Sequence, residues 1–262
     1  MALRFASLGS GSSGNATLIC NGEDLVLLDC GFSGKETAAR MARLGLTLEQ
    51  VSAIVVTHEH SDHIKGVPVL ARKLKVPVHM TPGTFRGREL GEIPKLRLIH
   101  NYRPFQVGSI EVCPVAVPHD AREPAQFVFK DQGQVLGVLT DLGSITQHVI
   151  EAFGACDALV LEANHDLQML AYGPYPPSLK ERVSGPWGHL SNEQTLQLIE
   201  ALDTTRLQKL VVGHISTKNN SLERAKSALS RSSKKLGDVI YACQEQGFDW
   251  MQIKNLAILC GE

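Results

Sequence analysis

Aromatic residues make up only 5% of this 262-residue chain, and none of its six cysteines forms a C-x-x-C pair. The first scarcity leaves little material for broad base-stacking surfaces, with Tyr172 and Trp187 among the few aromatic side chains. Without close pairs, Cys20, Cys30, Cys113, Cys156, Cys243 and Cys260 read as small buried hydrophobes in a reducing compartment. No stretch reaches the about 18 apolar residues of a membrane span. The opening MALRFASLGSGSSGN also lacks the layout of a secretion signal, so a cytoplasmic protein with no membrane partner is expected. Charge is nearly balanced, 26 basic against 27 acidic residues, so no whole-molecule field draws the chain toward nucleic acid or lipid. Any such attraction has to be local.

Alternating apolar and β-branched runs predict strands near 2–8, 16–20, 25–29, 52–56, 110–117, 126–130, 135–140, 157–162, 207–213 and 238–241. Ser33 with Glu36 and Ser191 with Gln194 are capping-box pairs that open helices near 34–44 and 192–202, and Gly45 suits the residue after the first. Asn220 with Glu223 is a weaker start for a helix near 221–231. No linker or repeat divides the pattern, which predicts one domain, 1–262, of two mixed β-sheets flanked by helices. Gly9-Ser-Gly11-Ser-Ser-Gly14 matches a dinucleotide-binding fingerprint literally. The adjoining segment, Asn15-Ala-Thr-Leu-Ile-Cys20, is short and β-branched instead of helical, so the reading is a strand-to-strand loop. Asn15 at its end is a candidate substrate contact, beside the plainer reading of a hairpin turn.

The stretch Thr57-His-Glu-His-Ser-Asp-His63 holds the densest chemistry. Imidazole and carboxylate suit Zn²⁺, Mn²⁺ or Fe, and His58, His60, Asp62 and His63 leave the end of a buried strand together. His58 and His60 are two apart and share a side of an extended segment. Asp62 and His63 fall where a helix begins, are aimed differently, and imply a second ion. Four groups cannot complete two sites, so further ligands are needed. His119, Asp141 and His214 each stand just past the carboxyl end of an apolar strand, where open α/β sheets place their sites. His100 reads as a solvated loop residue, and His79 fits a core position equally well.

With T-H-x-H-x-D-H after a strand, then His119, then Asp141 in Thr140-Asp-Leu-Gly143 and His214 in Val212-Gly-His-Ile215, the chain resembles the metallo-β-lactamase fold superfamily along nearly its whole length. The resemblance implies an α/β fold, a four-layer αββα sandwich with a dinuclear site at one edge. His58, His60 and His119 would hold one ion, Asp62, His63 and His214 the other, and Asp141 would bridge them. The cofactors implied are two divalent cations, Zn²⁺ or Mn²⁺. Leu161-Glu-Ala-Asn-His165 and Gly188-His-Leu-Ser-Asn192 resemble segments of transfer-RNA 3′-processing enzymes. They imply that Glu162 and His189 contact the scissile phosphate and protonate the leaving oxygen, with N–H groups at the helix start after His189 favouring phosphate. A surface ion pair is the blander reading. LGSGSSGNAT, LLDCGFS, VPHDAREP, LEANHD and GPWGHLSNEQ closely resemble the YycJ/WalJ-type members, bacterial cytoplasmic 5′→3′ exonucleases acting on DNA with a suggested link to mismatch repair.

The implied reaction is metal-assisted hydrolysis of a phosphodiester, with Asp62 both binding metal and orienting the attacking water. DNA, or RNA as the alternative, is the implied partner. Two basic stretches offer places to hold it: Lys218, Arg224, Lys226, Arg231, Lys234 and Lys235, and the more diluted Arg86, Arg88, Lys95, Arg97 and Arg103. A solvated helix face explains such runs equally well. An RNA-processing nuclease, a glyoxalase II-like thioester hydrolase, and a regulatory protein that keeps metal without turnover are the alternatives.

Overall fold

The structure, a computed structural model, describes residues 2–255. Strands β1 (Arg4–Gly9), β2 (Ala16–Cys20), β3 (Leu25–Leu28), β4 (Ala53–Val55), β5 (Val78–Met80) and β6 (Leu96–Leu98) form one sheet. A second contains β7 (Phe105–Val107), β8 (Ile110–Ala116), β9 (Ala125–Asp131), β10 (Gln134–Leu139), β11 (Ala158–Glu162), β12 (Lys209–Gly213) and β13 (Asp238–Tyr241). The last strand, β14 (Phe248–Gln252), returns to the first sheet and pairs antiparallel with β1. Helices α1 (Gly34–Arg43), α2 (Ser61–Ile64), α3 (Val67–Leu74) and α4 (Pro82–Gly87) accompany the first sheet. The second is accompanied by α5 (Gln147–Phe153), α6 (Leu167–Tyr172), α7 (Pro177–Ser184), α8 (Asn192–Ala201) and α9 (Leu222–Leu229).

Successive strand side chains point to opposite faces, so a strand buried on both sides must be apolar throughout, as Leu25-Val-Leu-Leu28 is. Val26 and Leu28 join Phe5, Ile19, Phe127, Phe129, Leu136 and Val160 in one core between the sheets. Leu25 and Leu27 instead meet Met41, Val67 and Leu70 of the helices outside the first sheet. Leu139, Leu159, Leu161, Leu210 and Val212 do the same against α5, α8 and α9. The layers therefore run helix, sheet, sheet, helix, as expected.

Direction positions the site. Strand β9 is antiparallel to both β8 and β10, while β10, β11 and β12 are mutually parallel. The carboxyl ends of β8, β10, β11 and β12 therefore share one edge. In the first sheet β1, β3 and β4 likewise run the same way, because β2 is antiparallel to both β1 and β3 and β3 is parallel to β4.

The ten predicted strands and three predicted helices are present, with ends shifted by a residue or two. Strands β5, β6, β7 and β14 and helices α2 to α7 add to them. Strands β5 to β7 span three residues each, too short for an alternating pattern to register. Helix α9 is capped by Ser221, whose hydroxyl accepts from Arg224 N–H; Asn220 is instead engaged with Asn192 and the Ala163 carbonyl. Cys20, Cys30 and Cys156 are buried as expected, but Cys113 is half-buried and Cys243 exposed. Cys260 lies outside the described residues. Among the described residues, no helix is long and apolar enough to cross a membrane.

Candidate metal centre

All seven candidate ligands meet at the common edge. His58, His60, Asp62 and His63 follow β4, His119 follows β8, Asp141 follows β10, and His214 follows β12. His58 Nε2 lies 3.0 Å from His60 Nδ1, which lies 3.4 Å from His119 Nε2. On the other side, His63 Nε2 is 3.4 Å from both Asp62 Oδ2 and Asp141 Oδ2, and His214 Nε2 is 4.0 Å from Asp62 Oδ2. Asp141 reaches both groups, its Oδ1 lying 3.9 Å from His119 Nε2.

The tautomers of four imidazoles can be assigned from their partners. A carboxylate or carbonyl oxygen only accepts, so Nδ1 must carry the proton where it faces one. His63 Nδ1 donates to Asp29 Oδ2 at 2.8 Å, His119 Nδ1 to the Gly188 carbonyl at 3.0 Å, and His214 Nδ1 to the Thr140 carbonyl at 2.7 Å. The Thr57 hydroxyl spends its hydrogen on Asp29 Oδ2 at 2.9 Å and so accepts from His58 Nδ1, also at 2.9 Å. Each of these rings is left with Nε2, the nitrogen that a cation would take in place of a proton, aimed at the centre. Outer partners of this kind set ring orientation and basicity in metal sites.

The convergence produces a surplus of acceptors. His58, His63 and His214 are almost wholly buried, and the buried Asp141 Oδ2 has no hydrogen-bond donor at all. Burial, reinforced by the neighbouring imidazoles of His63, His119 and His60, holds His58 well below the usual histidine range and so neutral. Burial acts the other way on the Asp141 carboxyl, yet His214 and His63 hold it well below the usual carboxylate range. Burial also opposes the charge on His214, but Asp141, Glu162 and Asp62 raise it to about 9. A pocket that attracts protons so strongly is one that cations fit, since lone pairs and carboxylates facing one another otherwise repel. His58, His60 and His119 would hold one cation and Asp62, His63 and His214 a second, with Asp141 between. Divalent cations bound there would supply Lewis acidity and an acidified water.

Backbone close to the ligand loop is stitched from three segments. Asn15 N–H donates to the Asp62 carbonyl at 2.7 Å, Cys30 N–H to the His63 carbonyl at 2.7 Å, and Gly31 N–H to the Asn15 carbonyl at 3.0 Å. Gly31 has no room for a side chain: a Cβ there would stand 1.8 Å from the Asp62 carbonyl oxygen. Asp29 and His214 both adopt left-handed backbone, φ 61° and 50°, where each chain turns inward from its strand. Ser10 Oγ accepts the His214 N–H at 2.9 Å and helps hold that turn.

Asn15, expected as a substrate contact, is buried, and its amide is used within the protein. Its Nδ2 donates to the Gly11 carbonyl at 3.0 Å and to Asp62 Oδ2 at 3.2 Å, while its Oδ1 accepts from Gly11 N–H. It braces the Asp62 carboxylate. The start of α8 is also consumed internally: Ser191 and Gln194 close their capping box, and Asn192 N–H donates to the His165 carbonyl. Those N–H groups are not offered to a phosphate.

Glu162 and His189 do meet. His189 Nδ1 lies 3.0 Å from Glu162 Oε2, and Glu162 Oε1 accepts from Leu142 N–H at 2.6 Å. Glu162 is buried, which excludes a surface ion pair, and burial pushes its carboxyl up against the opposing pull of His189. His189 lines a cleft of about 340 Å³ together with His60, Asp62, Asp141 and His214. In the longer basic stretch Arg224 pairs with Asp166, Arg231 with Glu193, and Lys226 covers the Tyr241 ring, so half of the run serves local contacts. His100 is exposed, and His79 stacks on Phe105 with ring centroids 4.4 Å apart.

Residues 25–215 match the family model described as a beta-lactamase superfamily domain. The chain is 37% identical over 237 residues to the exodeoxyribonuclease YycJ of Bacillus anthracis, covering 88% of this chain and 89% of that protein. The chain belongs to the metallo-β-lactamase superfamily. Within the superfamily, it is also 33% identical over 228 residues to the exodeoxyribonuclease WalJ of Streptococcus pneumoniae, covering 85% of each. The metallo-β-lactamase fold protein YhfI of Bacillus subtilis superposes with a TM-score of 0.73 at 14% identity, covering 95% of this chain and 98% of that one. That likeness establishes the superfamily fold independently of the ligand residues.

Sequence reasoning missed the outer partners Asp29 and Thr57. Asp29 stands just past the carboxyl end of an apolar strand, the same signal that singles out His119, Asp141 and His214.

Proposed function

We propose that this chain is a metal-dependent phosphodiester hydrolase, an exonuclease that digests DNA from the 5′ end with two divalent cations, Zn²⁺ or Mn²⁺. The observation that carries the reading is the convergence of seven candidate ligand groups, four of which, His60, Asp62, Asp141 and His214, line a cleft together with His189, the partner of Glu162. Similarity over most of the chain to two exodeoxyribonucleases supports DNA as the substrate. The sequence resemblance extends this to a cytoplasmic enzyme with a role in DNA repair.

Each residue has a task under this reading. Asp62 lines the cleft with its carboxylate held by Asn15, and so orients the attacking water. Glu162 fixes His189 through Nδ1, leaving Nε2 toward the cleft to deliver a proton to the leaving oxygen. General-acid help of this kind is worth about 10²–10⁴-fold. Asp141 keeps both ligand groups in register.

The test uses chelator-stripped protein and DNA or RNA labelled at either end, with Mn²⁺, Zn²⁺ or Mg²⁺ added back and a glutathione thioester assayed in parallel. Release of nucleotides from the 5′ end of DNA on metal addition is expected. Thioester hydrolysis without cleavage of either nucleic acid would overturn the proposal.

A further inference from the structure

Helix α7 buries none of its residues, yet it does not stand free in solvent. Leu179, Arg182 and Val183 lie along the wall of the cleft that holds the candidate ligands. Arg182 also lines a second, shallower cleft of about 340 Å³, whose other walls include Pro186 and Trp187. Asp120 borders both clefts as well, so the two adjoin at the Arg182–Asp120 ion pair.

That pair has an unusual setting. Asp120 Oδ2 meets Arg182 Nε, while Oδ1 lies 3.4 Å from His119 Nε2 and 3.8 Å from His60 Nε2. The guanidinium is therefore parked beside the candidate metal centre by a carboxylate from the ligand-bearing segment. The Arg182 side chain is 56% exposed, and pairs this exposed contribute little stability and exchange partners readily. A phosphate arriving in the cleft offers the same fork-matched oxygens as the carboxylate.

Trp187 continues the path. Its backbone is pinned, because the Cβ that Gly143 lacks would stand 2.5 Å from Trp187 Cα, but the residue is 59% exposed. An indole of that size left in solvent on a fixed backbone is a stacking surface. It lines the second cleft with Arg182 and Asp120 and is absent from the lining of the cleft that holds the ligands.

We propose that Arg182 and Trp187 form a second substrate subsite, in which the guanidinium takes the phosphate next to the scissile one and the indole stacks on an unpaired base. The inference rests on the nuclease reading above and adds to it that the strand reaches the centre single, since a base inside a duplex has both faces covered by its neighbours and none left for Trp187. Asp120 holds Arg182 in place until the phosphate replaces it.

The test measures binding of a fluorescent single-stranded phosphorothioate oligonucleotide to the metal-loaded protein over a range of salt concentrations, with thermal unfolding as a check on folding. Losing one phosphate contact lowers the slope of log affinity against log salt by about 0.7 for a single strand. Arg182→Gln is expected to show that drop together with weaker binding, and Arg182→Lys to restore the slope. Lys235→Gln, which removes an equal charge from the far end of the 218–235 run, is expected to leave the slope at the wild-type value. Trp187→Leu should weaken binding about tenfold without changing the slope. Asp120→Asn, which frees the guanidinium, should tighten binding. A wild-type slope in folded Arg182→Gln, an equal drop in Lys235→Gln, or unchanged affinity in Trp187→Leu would overturn the subsite while leaving the nuclease reading intact. Failure of the wild type to bind the oligonucleotide would refute both.

Discussion

Asp29→Asn separates metal binding from folding, because the substitution exchanges one acceptor oxygen for an NH₂ donor at almost constant volume. The Asp29 carboxylate accepts from Thr57 N–H at 2.8 Å, from the Thr57 hydroxyl at 2.9 Å, and from His63 Nδ1 at 2.8 Å. An asparagine keeps one acceptor for Thr57 N–H but turns an NH₂ toward His63. The ring can accept that bond only by moving its own proton from Nδ1 to Nε2. Nε2 is the atom that lies 3.4 Å from both Asp62 and Asp141, so the proton would sit where the second cation belongs. Loss of such an outer partner lowers metal affinity by about 10–100-fold, equivalent to about 1.4–2.7 kcal/mol. The cost to the metal-free fold is about one hydrogen bond, about 1 kcal/mol. Competition for Zn²⁺ with a chromophoric chelator measures the affinity, and urea unfolding of stripped protein measures the fold. Wild-type affinity in the variant would refute the argument that Asp29 sets the His63 tautomer.

Gly31→Ala, whose new Cβ would meet the Asp62 carbonyl at 1.8 Å, should lose metal binding and several kcal/mol of stability by urea unfolding; a normal metal content would count against the bracing of the ligand loop. Glu162→Gln should bind cations normally while turnover of labelled DNA falls about 100-fold; undiminished turnover would remove the pair from the proton step. His214 is raised to about 9 by Asp141, Glu162 and Asp62 against the effect of burial, and His63 stands well above its usual range, so cations must displace protons at pH 7. Calorimetry in buffers of differing ionisation enthalpy should register proton release that diminishes above pH 9, and release of none at pH 7 would contradict it. His79 is depressed to about 4 by burial and then by Arg97, so between about 6.5 and about 4 the unfolded chain binds more protons than the folded one and stability falls with acidification. His79→Phe, which keeps the stacking on Phe105, should flatten that fall in urea midpoints measured from pH 7 to pH 4.

Much of this centre is legible in the sequence, and the reason is geometric. Strand ends are punctuated by an apolar run and then a polar residue, so His119, Asp141 and His214 stand out although 119 and 214 are far apart in the chain. Asp29 carries the same punctuation but lacks a histidine neighbour to mark it as part of a metal centre. Glu162 is reached through the resemblance of Leu161-Glu-Ala-Asn-His165 to transfer-RNA 3′-processing enzymes, and its buried place at the end of Ala158–Glu162 is relieved by His189 and Leu142 N–H. Arg182 is not, since α7 buries no residues and so has no apolar stripe to mark even its helix. The start of α8 misleads because a capping box announces a helix but also satisfies its own N–H groups. The clustered charges at 218–235 mislead in the opposite way, as most of their partners, Asp166, Glu193 and Tyr241, come from other segments.

The segments that look like separate motifs are parts of one support. LGSGSSGN ends in Asn15, LLDCGFS contains Asp29 to Gly31, and HSDHIKG carries Asp62, His63 and Gly66. Their backbones bond directly: Asn15 to Asp62, Gly31 to Asn15, Cys30 to His63, and Gly66 N–H to the Cys30 carbonyl at 2.8 Å. A Cβ on Gly66 would fall 2.1 Å from the Phe32 carbonyl oxygen, so glycine is required there as it is at position 31. Main-chain bonds between three loops leave a ligand segment with little freedom to follow its side chains. The ligand groups are thereby held close in the absence of cations, and the ordering cost is met during folding instead of on binding. The glycine-rich loop that mimics a dinucleotide fingerprint thus serves the metal centre from behind.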